Sequence, residues 1–299
     1  MKIFYSDTYE LPSPAGHRFP MKKYRMLRDY LLESKIIAPN ELHESQLATE
    51  DELKLAHTEL YIEQMKTGTV PHEQMKRIGF GWSPELFVRS CATVGGALLA
   101  AKEALKDGIS GNLAGGTHHS HADRGEGYCV FNDIAVATRY LMKEKLVSRV
   151  AIIDLDVHQG NGNSSILIND SNVFIFSMHG EKNYPFKKID SHLDIGLESG
   201  CGDAEYLEKL SIGMEKIEDF NPDYIFYQMG VDSLAQDKLG QLNLTHDGLI
   251  KRDELVLSYA FTNEIPLSLA LGGGYADPII ETVIAYANTY RVVKRIYGI

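Results

Sequence analysis

Residues 150–158 read Val-Ala-Ile-Ile-Asp-Leu-Asp-Val-His, an apolar run that passes into alternating polar side chains. The β-branched residues of this run predict a buried strand over residues 150–157. Alternate residues of a strand point to the same face, so Asp154, Asp156 and His158 are predicted to lie together. Two unpaired carboxylates beside a buried strand would be costly, which favours a metal ion as their partner over an exposed strand end.

Other short apolar runs predict further strands, at residues 3–5, 173–178, 224–229 and 266–271. Helical patterns alternate with them, at residues 22–32, 84–105, 134–146, 204–217, 246–261 and 278–295. This alternation predicts an α/β fold with an open parallel β-sheet flanked by helices. No linker, low-complexity stretch or repeat divides the chain, so residues 1–299 are predicted to form a single domain.

The composition limits the classes of partner. The 299 residues include 30 Lys plus Arg and 41 Asp plus Glu, a net charge of −11, which argues against nucleic acids and anionic membranes and favours a cationic substrate. The three cysteines are widely spaced and form no Cys-x-x-Cys, so neither a disulfide framework nor a thiolate zinc site is indicated. With no secretory signal and no apolar run long enough to cross a membrane, the sequence predicts a cytoplasmic protein.

Polar residues also follow other predicted strands. Ligands of parallel α/β sheets bind beyond the carboxyl ends of the strands, and Asp232 comes at such an end. Together with Asp156 and His158, it would complete three protein ligands and leave the open position of a catalytic metal site. Zinc is the first choice, although Fe²⁺ or Co²⁺ would also suit this ligand set. Taken alone, Asp232 is also typical of a common strand-end turn. Its prediction as a metal ligand therefore depends on its meeting Asp156 and His158 at the same edge of the sheet.

Two glycine-rich segments add candidate catalytic groups. His118 and His119 lie in a glycine-bounded loop, and next to a metal-bound water they could divide the roles of proton acceptor and of proton donor or electrostatic stabiliser. Residues 272–274 are Gly-Gly-Gly, but they lack the Lys-Ser/Thr of a P-loop and the spacing of a dinucleotide fingerprint. This run is therefore predicted to position Tyr275 rather than a phosphate.

These residues form a longer pattern that resembles the histone deacetylase family. The matching motifs are Gly-Gly-Thr-His-His at 115–119, Gly-Tyr-Cys-Val-Phe-Asn-Asp at 127–133, Asp-Leu-Asp-Val-His at 154–158, Gly-Val-Asp at 230–232 and Gly-Gly-Gly-Tyr at 272–275. The segments most similar to the class IV branch are 123–125, 158–162 and 251–255. The resemblance implies the arginase/deacetylase fold.

The resemblance also implies roles for single residues. The metal ligands correspond to Asp156, His158 and Asp232, the tandem catalytic histidines to His118 and His119, and the carbonyl-polarising tyrosine to Tyr275. Asp154 corresponds to the carboxylate behind the first histidine and, together with Ser177, to the ligands of a structural potassium ion. The residues implied to line the substrate pocket are Gly127, Tyr128, Tyr184 and Gly273, with Arg25 below the metal.

One position departs from many members of that family. Asn161 stands where they place an aspartate behind the second histidine, as in class IV members. Loss of that charge disfavours the imidazolium form, so His119 should be more readily neutral and better suited to act as a base. The aspartate with which the family binds the substrate backbone has no clear match, and residues 78–82 are only a candidate for the rim.

The combined pattern predicts a zinc-dependent hydrolase that removes acetyl or longer acyl groups from the Nε of lysine in proteins. The alternatives are a hydrolase of long-chain fatty-acyl-lysine and an acetylpolyamine amidohydrolase. Binuclear manganese ureohydrolases share the fold, but they carry aspartates at position 160 and two residues after Asp232, where this chain has Gly160 and Leu234. The full set of ligands and histidines also argues against an inactive acyl-lysine binding module. Nothing in the sequence indicates the oligomeric state.

Overall fold

The sheet carries the predicted strands at its centre. In the computed structural model, which describes residues 1–11 and 17–299, eight strands pair in parallel in the order β2-β1-β3-β8-β7-β4-β5-β6. Their bounds are β1 Ile3–Tyr5, β2 Leu42–Glu44, β3 Ile109–Asn112, β4 Val150–Asp154, β5 Val173–Gly180, β6 Leu193–Leu197, β7 Tyr224–Gln228 and β8 Leu267–Ala270. The predicted open parallel sheet is confirmed. Three strands were not predicted: β2 and β6 at the two edges, and β3 between β1 and β8.

All six predicted helices are present, within two or three residues at each end. The helices of the described residues are α1 Lys23–Glu33, α2 Glu50–Leu53, α3 Glu59–Thr67, α4 His72–Ile78, α5 Pro84–Asp107, α6 Asp133–Lys143, α7 Asn161–Leu167, α8 Asp203–Phe220, α9 His246–Thr262 and α10 Ile280–Tyr297. Ser83 caps α5 by accepting a hydrogen bond from the Leu86 amide, with Pro84 at the first helical position. The short helices α2, α3, α4 and α7 were not predicted.

Helices cover both faces of the sheet, which explains why its central strands are apolar throughout. Ile153 of β4 packs into a core shared with residues of α1, α8, α9 and α10. Its neighbour Ile152 points to the opposite face and packs with residues of α5 and α6. None of the helices in residues 1–11 and 17–299 has both the length and the apolar character that crossing a membrane requires.

The predicted strand over residues 150–157 is too long, because β4 ends at Asp154. Asp154 Oδ1 accepts the amide of Asp156 at 3.2 Å, and Asp156 Oδ1 accepts the amide of His158 at 3.0 Å. Such bonds from an aspartate to the amide two residues later turn the backbone out of the strand. The polar side chains therefore meet in a loop beyond the strand end, and strand periodicity was the wrong reason for their grouping.

Candidate active site

Three side chains converge at the carboxyl ends of β4 and β7. His158 Nδ1 lies 3.0 Å from Asp156 Oδ1 and 2.9 Å from Asp232 Oδ2. One atom of each residue lies within 4.8 Å of the others, a grouping that could hold a metal ion. The second oxygen of Asp232 accepts the amide of Val157 at 2.8 Å, which ties the loop after β7 to the loop after β4. The three residues predicted as metal ligands are thus brought together.

The electrostatics of this cluster fit a bound cation. Asp232 Oδ2 is buried and has no hydrogen-bond partner among the described residues, even though His158 is close. Burial and, next, the negative charge of Asp156 raise the pKa of Asp232 to about 7. A divalent ion between the three side chains would compensate both buried carboxylates and use the unpartnered oxygen.

Gly273 makes room for the two carboxylates. A Cβ at this position would lie 1.7 Å from Asp232 Oδ2, so only glycine allows this approach. The Gly273 amide also donates to Asp156 Oδ2 at 2.6 Å. Gly273 lines the same cavity as Asp156 and His158, and its place in a substrate pocket stays a prediction.

The tandem histidines have different partners. His118 Nδ1 lies 2.7 Å from Asp154 Oδ2, and both residues are buried. Burial lowers the pKa of His118, but the charges of Asp154 and Asp156 outweigh it, so the pKa is raised. For His119, burial and the neighbouring His118 and His158 hold the pKa well below its ordinary value. The two imidazoles therefore differ in their tendency to carry a proton.

Asn161 lies between His119 and the carboxylate of Glu126. Asn161 Oδ1 is 2.8 Å from His119 Nδ1, and Asn161 Nδ2 donates to Glu126 Oε1 at 2.7 Å. His121 Nε2 lies 3.5 Å from the same oxygen. Burial opposes ionisation of Glu126, but hydrogen bonds from His121 and Asn161 outweigh it and lower its pKa to about 2. The sequence reasoning missed Glu126, which precedes the Gly127-Tyr128 motif by one residue.

Helix α7 places Asn161 at this position. The carbonyl of His118 accepts the amides of Gly162 and Asn163 at 2.8 and 3.2 Å. This contact ties the first turn of α7 to the histidine loop. The short helix, which was not predicted, therefore sets the contact between Asn161 and His119.

A cavity of about 470 Å³ leads from the surface to these groups. Its wall includes Tyr275 and three residues that the resemblance implies for the substrate pocket, Gly127, Tyr128 and Tyr184. The edge of the Tyr184 ring packs on His119, with ring centroids 4.9 Å apart and planes at 86°. Gly127 has a φ of +56° and packs against the His119 ring so closely that a Cβ would lie 2.6 Å from it. Gly127 and Tyr184 thus both pack against His119 on the cavity wall.

The prediction for Arg25 is wrong, and Lys23 occupies the place below the site. Arg25 is half exposed and pairs with Asp7 at 3.3 Å. Lys23 is buried, and its Nζ donates to the carbonyls of Gly272 and Gly274 at 3.1 and 3.4 Å and lies 4.9 Å from the centre of the Tyr275 ring. Residues two apart on a helix are separated by about 200°, so only one of the two can face the glycine run. Burial lowers the pKa of Lys23 to about 8.

Ser177 pairs directly with Asp154 across β4 and β5. Its hydroxyl lies 3.0 Å from His179 Nδ1, and both oxygens of Asp154 already hold hydrogen bonds, to His118 and to the Asp156 amide. A potassium ion shared by Asp154 and Ser177 stays a prediction.

Comparisons with known proteins agree with this geometry. Residues 17–290 match the histone deacetylase domain family. The chain is 33% identical over 291 residues to histone deacetylase 2 of Arabidopsis thaliana, covering 92% of this chain and 74% of that protein. It is 29% identical over 307 residues to the acetoin utilization protein AcuC of Staphylococcus aureus, covering 94% and 75%.

Solved structures give the same result. A crystal structure of an HDAC homologue complexed with SAHA matches with a TM-score of 0.83 and 26% identity, over 99% of this chain and 84% of that one. An HDAC homologue from Aquifex aeolicus matches with a TM-score of 0.82 and 25% identity, over the same shares of the two chains. The chain belongs to the histone deacetylase family and is a hydrolase that acts on amides.

Proposed function

We propose that the protein is a zinc-dependent hydrolase that removes acetyl or longer acyl groups from the Nε of lysine. The observation that carries this proposal is that one cavity is lined by Asp156 and His158 of the Asp156-His158-Asp232 cluster, by both tandem histidines and by Tyr275. The volume of about 470 Å³ is large enough to hold an acyl-lysine side chain. The cavity brings its amide to groups that can polarise a carbonyl and move a proton.

Asp156, His158 and Asp232 would hold the zinc ion. When bound, the ion would polarise the amide carbonyl and make water a stronger nucleophile at neutral pH. One such ligand group is found in the described residues, which supports a mononuclear site over the binuclear manganese alternative.

His119 is suited to accept the proton of the attacking water. The carboxylate of Glu126 can only accept hydrogen bonds, so the amide nitrogen of Asn161 must face it and Asn161 Oδ1 must face His119. His119 then carries its hydrogen on Nδ1 and has a free electron pair on Nε2. Its lowered pKa keeps that nitrogen unprotonated near neutral pH.

His118 and Tyr275 would act on the other side of the reaction. Because Asp154 favours its protonated form, His118 is suited to give a proton to the leaving amine. Burial and the charges of Asp232 and Asp156 raise the pKa of Tyr275, so its hydroxyl stays a donor for the developing oxyanion. Retention of all these groups favours an enzyme over an inactive acyl-lysine binding module.

Turnover of acyl-lysine peptides is expected with the zinc-loaded protein and should fall in the Tyr275→Phe variant. The substitution removes one donor to the oxyanion while the ring still packs, so kcat/KM should drop by about two to three orders of magnitude with the metal content unchanged. Acetyl- and myristoyl-lysine peptides and acetylated polyamines would be compared, with Tyr259→Phe on α9 as the matched control. Wild-type rates in Tyr275→Phe would remove this tyrosine from the transition state, and no turnover of any acyl-lysine would contradict the proposed function.

Changing Asn161 to Asp in a Glu126→Gln background is expected to move the acidic limb of the pH profile of kcat/KM to higher pH. The new carboxylate would lie next to His119 and favour its protonated form, so the pKa of His119 would rise from its lowered value. That limb reports the essential base of the free enzyme, and a base with a higher pKa loses activity at a higher pH.

The Glu126 substitution is needed because of the short contact between Glu126 and Asn161. Asn161→Asp alone would place two carboxylates within hydrogen-bond distance, where they share a proton and add less charge beside His119. We therefore expect a smaller movement of the limb in the single variant. A folded double variant whose limb stays in place would show that His119 is not the base.

A further inference from the structure

The mouth of the cavity is cationic although the chain as a whole is acidic. Four exposed cations line it: Arg18, Lys76, Arg77 and Lys182. Among the described residues that line the cavity, the only carboxylate is Asp156, which belongs to the metal-ligand cluster at the bottom. The chain has a net charge of −11, so a group of four cations at the cavity is opposite in sign to the charge of the whole chain.

These cations come from three segments that are tied to the cavity wall. The Arg77 carbonyl accepts the amide of Gly127 at 3.0 Å, which places the end of α4 against the wall. His17 Nε2 donates to the carbonyl of Gly79 at 3.0 Å, which holds the segment of Arg18 on the same turn. Asn183, next to Lys182, donates to the Leu239 carbonyl at 2.8 Å. The three segments that carry the cations are therefore held at the cavity by hydrogen bonds.

Two of the four cations have a nearby acidic partner. Lys76 lies 2.9 Å from Glu73, and Lys182 lies 3.5 Å from Glu198, in exposed pairs that are weak in water. Arg18 and Arg77 have no carboxylate within 4.0 Å in the described part of the chain. A cation in the last turn of α4 also stabilises that helix, but this explains neither Arg18 nor Lys182.

We propose that the substrate carries an anionic group, a carboxylate, next to its acylated amine. The inference rests on the proposed acyl-lysine hydrolase and names its substrate class. An acidic residue beside the acyl-lysine, or the free carboxylate of an N-acylated amino acid, would meet Arg18 and Arg77 as its acyl chain enters the cavity. Arginine is suited to this task because its planar guanidinium can bind a carboxylate with two hydrogen bonds. Acetylated polyamines and lysine-rich tails would meet like charges instead.

The test compares acetyl-lysine peptides that differ only in their flanking residues. With Asp on both sides, kcat/KM is expected to exceed that of the Lys-flanked peptide by about tenfold or more at low salt, and this ratio should shrink as salt rises. A capped acetyl-lysine with a free carboxylate, compared with its carboxamide, separates a small-molecule source of the charge from a peptide source. Acetylspermidine is included as a cationic substrate, for which a low kcat/KM is expected.

Charge-reversal variants test whether Arg18 and Arg77 cause the preference for Asp-flanked peptides. Arg18→Glu combined with Arg77→Glu is expected to abolish or reverse the preference for Asp-flanked peptides. The matched control is Lys216→Glu combined with Arg291→Glu, which changes the net charge equally on α8 and α10 and should leave the preference intact. If the charge-reversed variant does not fold, the milder pair Arg18→Gln with Arg77→Gln replaces it and should weaken the preference. Equal kcat/KM for both peptides, or an equal change in the control, would overturn the proposal.

Binding of the same peptides, measured by fluorescence anisotropy, is independent of turnover. A preference for the Asp-flanked peptide that depends on Arg18 and Arg77, without any hydrolysis, would support the anionic substrate and contradict the proposed enzyme activity. Hydrolysis without any charge preference would support the proposed enzyme activity and contradict the anionic substrate.

Discussion

Replacement of Asp232 by Ala is expected to produce a folded protein that binds no catalytic metal and has lost activity by more than about three orders of magnitude. Asp232 offers the unpartnered buried oxygen of the ligand cluster, and its other oxygen holds the Val157 amide of the neighbouring loop. Two ligands would remain, too few to retain the ion against dialysis. Elemental analysis of the wild type should find about one divalent metal per chain, and none in the variant.

The control for this prediction is Asp219→Ala, which removes an exposed carboxylate on α8. It should keep both the metal and the activity. Two equivalents of manganese in the wild type, or full activity in Asp232→Ala, would contradict a mononuclear site.

The His119→Ala variant should lose about two to four orders of magnitude in kcat/KM while it keeps its metal. His119 lies beside the candidate ligand group but does not belong to it, so the substitution removes a proton acceptor and not a ligand. Metal analysis and kinetics on the same preparation separate these two roles. The exposed His72 offers the matched control, since His72→Ala should change neither quantity. A metal-free His119→Ala protein would make this histidine a ligand.

The central strands other than β3, which reads Ile-Ser-Gly-Asn, could be predicted because each is a short apolar run buried on both faces. Val150–Asp154 and Tyr224–Gln228 are of this kind. The edge strands Leu42–Glu44 and Leu193–Leu197 are partly exposed and carry little apolar signal. The helices α2, α3, α4 and α7 are shorter than an isolated helix could be in water, so their stability comes from packing that no local pattern records.

The candidate ligands and histidines could be identified in the sequence because their motifs combine buried polar residues with glycines at strand ends. Lys23 and Glu126 could not. The choice between Lys23 and Arg25 depends on the rotation of α1 about its axis, which is set by contacts with the glycine run. Glu126 contacts His119 only through Asn161. Glu126 and Asn161 are 35 residues apart in the chain, so no local pattern shows that they meet.

The amino-acid pattern thus specified the parallel sheet, the family and the residue types of the site, because burial periodicity and motif spacing are local properties of the chain. The meeting of Asp232 with His158, the Glu126-Asn161-His119 contacts and the group of cations at the cavity depend on side chains from distant segments. The pairing of β4 with β7 brings Asp232 to His158, and the docking of α7 on the His118 carbonyl and of α4 on the cavity wall positions Asn161 and Arg77. Such docking is determined by the sum of many weak long-range contacts, which become defined only when the chain is folded.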